Sequence, residues 1–280
     1  MEIGKINTLL VLRETDIAYQ LTDGIDEVFL HKKEAKKPYE DNEEIEVFLY
    51  VDNQGRTTAS TKEPFLQLHD VKMLEVVEVN FNYGVFLYYG MIKDLLLSLD
   101  DLPSQHKYWP EPKDKVMVEM VERKGQLYGR IIGRKQITDH FEDAIALEDK
   151  SEVEAHVMYI IDNGIVCFTE AGHEIFIHRN NYRHYHRIGE LVTPKILKCN
   201  PSGEYVGTLI EQKELMLEKD SEVILDYLVK HHDMMYFTDK SEAQAIFETF
   251  HMSKSAFKRA LGKLFKAGLV ELNEGNTKKI

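Results

Sequence analysis

A chain of 280 residues, 43% hydrophobic, carries enough apolar side chain for several cores, and its length points to two or more modest domains rather than one large one. With 35 Lys and Arg against 48 Asp and Glu, the formal charge of -13 excludes strong long-range attraction to phosphate, so any such contact must rest on local cationic patches and weaken with salt. No stretch approaches the length of a membrane span, the opening MEIGKINTLLVLRETD lacks the order of a signal peptide, and Cys167 and Cys199 stand far from any C-x-x-C spacing; a cytoplasmic protein without disulfides is expected.

From the N-terminus onward the chain repeats itself. Residues 1–64 hold INTLLVLRETDIAYQL, DEVFLHKKEA and IEVFLYVDNQGRTTAS, and residues 65–138 hold VKMLEVVEVNFNYGVFLYY, KDLLLSLDDL and VMVEMVERKGQLYGR. Residues 151–211 repeat the order with VEAHVMYIIDNGIVCFTE, HEIFIHRNNY and LVTPKILKCNPSGEYVGT. From Phe29, Leu96 and Phe176 to Gly55, Gly125 and Gly203 the separations are 26, 29 and 27 residues. Val, Ile, Tyr and Phe alternate with polar residues over about five short runs per unit, which predicts three tandem antiparallel barrels. Between them, PFLQLHD, QITDHFEDAIALEDKSE and a helical, charged EQKELMLEKDSE read as connectors.

Residues 220–280 change character. SEVILDYLVKHH places Val223, Ile224, Tyr227 and Leu228 at helical spacing behind Ser221, and Ser241 with Gln244 three residues on has the form of a capping box before a second helix. In a third helix, Phe257, Ala260, Leu261, Leu264 and Phe265 form an apolar stripe opposite Arg259, Lys263 and Lys266. Gly268 and the residues after it stop that helix and start a strand, which describes a winged-helix domain, with hardly room for a second wing strand before Ile280. The predicted fold class is thus multidomain and mainly β: three tandem OB-fold barrels followed by an α+β winged helix.

Each repeated unit resembles an S1 domain, and the order of three S1 units and a winged helix is similar to the conserved virulence factor B family of bacterial RNA-binding regulators. MSKSAFKRALGKLFKAGLV, and YWPEPKDKVMV with GQLYGRIIG, carry most of that resemblance. It implies a non-enzymatic protein that binds single-stranded RNA and influences gene expression post-transcriptionally. The S1 ligand face has an aromatic-Gly-x-aromatic run, a histidine on the next strand and basic residues on the last strands, so that rings stack on bases and cations follow phosphates. In the second unit Tyr83, Phe86 and Tyr88 stand around Gly84, but Ser98 takes the histidine's place; the first and third units have His31 and His178 without paired aromatics. Arg123, Lys124 and Arg130, then Arg134 and Lys135, could line a phosphate path from the second unit's last hairpin. That unit is also the least acidic, with 10 Lys and Arg against 11 Asp and Glu in residues 65–140, compared with 8 against 14 in residues 1–64.

HEIFIHRNNYRHYHRIG in the third unit gathers His173, His178, His184 and His186 with Arg179, Arg183 and Arg187, and reads as a polar loop favouring RNA contact rather than as a metal site. Trp109, in HKYWPEP, could stack on a base with Tyr108, but its large apolar area favours a plug at a barrel end or a joint. No nucleophile elbow, P-loop, dinucleotide fingerprint or H-E-x-x-H occurs, so neither enzyme activity nor a cofactor or metal is expected. Two other classes remain open: a DNA reader using Ser255, Arg259, Lys263 and Lys266 on the third helix, and a scaffold that binds proteins.

Overall fold

The computed structural model describes residues 1–141, 146–201, 203–210 and 213–280, and of residues 213–215 the backbone alone. The predicted connectors at residues 142–145 and 211–212, and Ser202 in the third unit's glycine turn, lie outside the described residues.

In the first unit, β1 (Ile6–Glu14), β2 (Ala18–Thr22), β3 (Glu27–His31), β4 (Glu44–Val51) and β5 (Thr57–Ser60) close a barrel in the order β1-β2-β3-β5-β4. The second unit repeats this with β6 (Val71–Asn80), β7 (Gly84–Tyr88), β8 (Leu95–Ser98), β9 (Lys115–Arg123) and β10 (Gln126–Ile131). Alternation sets the two faces, as β3 shows: Val28 and Leu30 are buried, while Glu27, Phe29 and His31 point outward. A helix α1 (Arg134–His140) follows, and then the third unit, with β11 (Ala155–Ile161), β12 (Gly164–Phe168), β13 (Glu174–His178), β14 (Leu191–Val192), β15 (Lys195–Cys199) and β16 (Tyr205–Thr208).

The first strand of each unit shifts register at the same place, between Val11 and Arg13, Val76 and Glu78, and Val157 and Tyr159. A bulge there adds the bend that lets a short sheet close on itself. The third unit departs from the expected closed barrel: it is a half-barrel, a six-stranded sheet in the order β14-β11-β12-β13-β16-β15, because the counterpart of β4 is split in two around Pro194. Proline has no N–H to give a ladder, so the strand breaks where the other units run through.

The last domain consists of α2 (Lys213–Lys230), β17 (Met234–Met235), α3 (Ala243–Phe250), α4 (Lys254–Lys266), β18 (Val270–Asn273) and β19 (Asn276–Lys279), with a β17-β19-β18 sheet. Four details correct the sequence reading. The charged connector belongs to α2, and Ser221 lies inside that helix with its hydroxyl donating to Leu217 O rather than capping an end. The cap of α3 is Glu242, without a side-chain cap bond; Ser241 instead accepts from Thr238 N, and Gln244 is drawn to another domain. Phe265 is 53% exposed, outside the buried stripe of Phe257, Ala260, Leu261 and Leu264. A second wing strand does fit, because Glu274 and Gly275 alone turn β18 into β19.

The units share buried joints. Phe48 and Tyr50 of the first barrel belong to the same apolar cluster as Tyr89, Leu95 and Val118 of the second, and Ile188 of the third joins it. Trp109, 5% exposed, sits in this cluster and donates from Nε1 to Pro103 O at 2.6 Å, in line with its expected role as a plug. Among the described residues no helix is long and apolar enough to cross a membrane.

Candidate nucleic-acid interface

The outer face of the second barrel follows from its register. Glu78 pairs with Phe86, Phe86 with Leu96, and Leu96 with Tyr128, so these four side chains form one row across β6, β7, β8 and β10 on the side away from the core. Their inward neighbours Val85, Leu87, Leu95 and Leu97 are fully buried. Gly84, which opens β7, has φ 130°, and a Cβ there would lie 2.1 Å from Leu97 O. The glycine of the aromatic-Gly-x-aromatic run is therefore fixed by close strand approach, while the aromatics are free to serve the surface.

Those aromatics do not form one patch. Phe86 is in the row, Tyr83 lies in the turn before β7 and is 62% exposed, and Tyr88 packs edge-on against Phe65 at 5.4 Å between ring centroids. Beside Tyr83 in sequence, Phe81 is 59% exposed and stacks with His106 at 4.8 Å and with Trp109 at 5.7 Å. Phe81, His106 and Tyr128 were not among the expected site residues. Phe81 had a signal in NFNYG, two residues before the motif's Tyr83, and Tyr128 had one in GQLYGR; His106, alone in a loop, had none.

Over the row lies a cleft of about 320 Å³, lined by Phe86, Leu96, Tyr128, Glu78, Ile92, Lys93, Asp94, Gln126, Leu127 and, from the first barrel's β4–β5 turn, Asn53. Lys93 ties the two barrels together: its Nζ donates to Val51 O at 2.7 Å and to Gln126 Oε1 at 3.1 Å. Burial holds the Lys93 ammonium below its ordinary value against the opposing charge of Asp52, and burial, with the charge of Glu78, raises the Asp94 carboxyl.

The expected cations are mostly engaged. Arg123 pairs with Asp101 at 3.1 Å and lies 5.8 Å from the Tyr128 ring, and Arg130 pairs with Glu119 at 2.6 Å. Arg134 bonds to Glu174 and, at 2.7 Å, to Glu204. Lys124, at positive φ in the β9–β10 turn with Gly125, is exposed and enters no ion pair among the described residues.

His31, Ser98 and His178 occupy one register position, paired with Ala18, Gly84 and Gly164. Each accepts the backbone N–H two residues on, from Lys33 at 3.1 Å, Asp100 at 3.3 Å and Asn180 at 3.1 Å, and so caps a short 3₁₀ turn. Serine can replace histidine here because the shared task is to accept that N–H. Nδ1 as acceptor assigns the proton to Nε2, which leaves an exposed donor on His31 and His178.

The third unit's equivalent face is covered. Val166 and Phe168 point outward from β12 and are fully buried against Met117 and Ile132 of the second unit and Ile137 of α1. The His- and Arg-rich stretch forms a joint as well. Arg187 makes a bidentate contact with Asp114 at 2.7 and 3.0 Å, and Arg183 pairs with Asp220 at 2.9 Å. Arg179 donates to Gln244 Oε1 at 2.7 Å and lies 5.1 Å from the Phe247 ring, and His184 sits against His251. Among the described residues, no group of three or more His, Cys, Asp or Glu is arranged to hold a metal ion.

On α4, Ser255, Arg259 and Lys266 are exposed, and Arg259 and Lys266 enter no ion pair among the described residues; Lys263 leans to Glu218 of α2 at 3.6 Å.

Tandem S1-type barrels followed by a winged helix define the class of this chain. The S1 domain model matches residues 3–62, that of the CvfB first S1-like domain residues 72–130, and that of the CvfB-like winged helix domain residues 222–278. Protein YitL of Bacillus subtilis (strain 168) is 34% identical over 278 residues, covering 99% of this chain and 93% of the relative. Conserved virulence factor B of Staphylococcus aureus (strain N315) is 30% identical over 235 residues, 83% of this chain and 78% of the relative. The chain belongs to the conserved virulence factor B family. A crystal structure described as a multidomain protein with nucleic acid binding domains, from Streptococcus pneumoniae TIGR4, superposes with a TM-score of 0.66 at 25% identity, covering 99% of this chain and 98% of that one.

Proposed function

We propose that this protein is a non-enzymatic, single-stranded RNA-binding regulator that acts on bacterial gene expression after transcription, with the second barrel as its principal contact. The observation that carries this reading is the outer row of that barrel, where Phe86 and Tyr128 flank an open cleft while the matching face of the third barrel is closed by packing. Rings without a buried partner on their outer side can stack on bases of any identity. The description of the pneumococcal structure as a multidomain protein with nucleic acid binding domains supports the nucleic-acid part of this reading.

Stacking is worth about 1–3 kcal/mol per base, so Tyr83→Ala with Phe86→Ala should weaken binding of a labelled thirty-nucleotide RNA by about tenfold or more in fluorescence anisotropy at fixed salt. Unchanged affinity would remove the second barrel from the site. The exposed Ser255, Arg259 and Lys266 on α4 favour a second reading, contact with DNA through the winged helix. Single-stranded and duplex DNA in the same assay separate the two, since a duplex preference that survives the double substitution belongs to α4.

A further inference from the structure

Phosphate and stacking chemistry do not use the polar groups of the cleft over β7, β8 and β10. Its charged walls are Glu78, Asp94 and Lys93, and Lys93 already spends its three donors on Val51 O, Asp52 O and Gln126 Oε1. Gln126 Oε1 accepts from Lys93, and the Gln126 NH₂ keeps its two N–H donors to offer. The cleft thus presents carboxylate acceptors, the side-chain amides of Gln126 and Asn53, and two flat rings. Carboxylates repel phosphate, so the group that fits is a base whose edge offers two N–H donors side by side.

Of the four RNA bases, guanine alone does so. N1–H and the N2 amino group stand next to each other and match the two oxygens of one carboxylate, and O6 beside them accepts from an amide. Adenine and cytosine would turn a ring-nitrogen lone pair toward the carboxylate, and uracil flanks its one N–H with two carbonyls. A cleft of about 320 Å³ has room for a purine. Burial and the charge of Glu78 disfavour an ionised Asp94, and two N–H donors from a base offset that cost. Asn53 lines the cleft from the first barrel, so the site is built by the tandem pair rather than by one unit.

We infer that this cleft is a guanine-reading pocket, in which the base lies against Phe86 and Tyr128, the Asp94 carboxylate accepts N1–H and N2–H, and Gln126 donates to O6. The inference rests on the second barrel being the RNA site and adds base identity to it. The test uses the full chain and labelled twelve-nucleotide uridine RNAs carrying one central guanine, adenine or inosine. Guanine should bind about tenfold or more tighter than adenine, the lower part of the range for a bidentate contact to a base edge, and inosine, which lacks the N2 amino group, should lose most of that gain. Asp94→Asn should reduce the preference for guanine over adenine to less than about threefold. Equal affinity of the wild-type chain for all three RNAs overturns the pocket and needs no variant to fold. If Phe86→Ala still weakens binding in that case, the RNA site stands without guanine reading; if Phe86→Ala has no effect on any of the RNAs, the RNA site itself falls. Competition by guanosine monophosphate as strong as by the guanine-containing strand would assign the pocket to a free nucleotide instead of a chain.

Discussion

Histidine and serine do the same work at residues 31, 98 and 178, each accepting the N–H two residues further on. The motif was legible in the sequence at these positions, but its reason was not, since the histidine of an S1 unit reads as a ligand group before its bond to the backbone is seen. The two cysteines give a sharper contrast. Cys167 points into the third barrel's core, where burial pushes its thiol far up, and Cys199 is exposed at the end of β15. Only the thiolate is reactive, so a buried thiol held neutral is inert. Titration of the native protein with a thiol-specific disulfide reagent should therefore release one fast equivalent, abolished by Cys199→Ser, with the second appearing only on unfolding. Two fast equivalents would mean that the third barrel opens readily.

At the scale of elements, alternation made the strands readable and packing between units decided the rest. GVFLY in β7 and GIVCF in β12 are both apolar on both faces, and nothing in either run tells which outer face is covered. The difference comes from α1 and β9, whose Ile137 and Met117 close over β12 and leave β7 open. Helix starts failed for a related reason. Ser241 and Gln244 have the form of a capping box, but Gln244 finds Arg179 and Tyr185 on the third unit, and a tertiary bond replaces the local one. Because α1 covers a face outside the proposed RNA site, its effect on stability and its effect on binding should separate. Ile137 is fully buried, and truncating such a side chain to alanine costs about 2–4 kcal/mol. Urea unfolding of Ile137→Ala should show a loss of that order, while anisotropy with single-stranded RNA should be unchanged at temperatures where the variant is folded. A parallel loss of RNA affinity would show that the third barrel's face takes part in binding after all.

The molecule as a whole spends its third-unit cations on holding domains together. Arg179, Arg183 and Arg187 looked like phosphate contacts in sequence, and their partners Gln244, Asp220 and Asp114 lie 65, 37 and 73 residues away, beyond the reach of any local pattern. An acidic chain has carboxylates to meet such arginines, and a net charge of -13 is compatible with arginines that are partly withdrawn from solvent into joints. Arg183 and Asp220 are the most enclosed of these pairs, with 14% and 8% of their side-chain surface exposed, and they join the third barrel to α2 of the winged helix. Removing one member strands the other charge in a poorly solvated place, a loss of about 3–5 kcal/mol for a buried pair, whereas replacing both with apolar side chains is close to neutral. Arg183→Met should therefore destabilise the chain strongly in urea unfolding and speed proteolytic release of residues 220–280. Arg183→Met combined with Asp220→Leu should recover most of both. If the single variant unfolds like the wild type, the pair contributes no more than a surface ion pair, and the winged helix is held to the third unit by its other contacts, the packing of Phe247 against Arg179 and Tyr185 and the bonds of Gln244 to the same two residues.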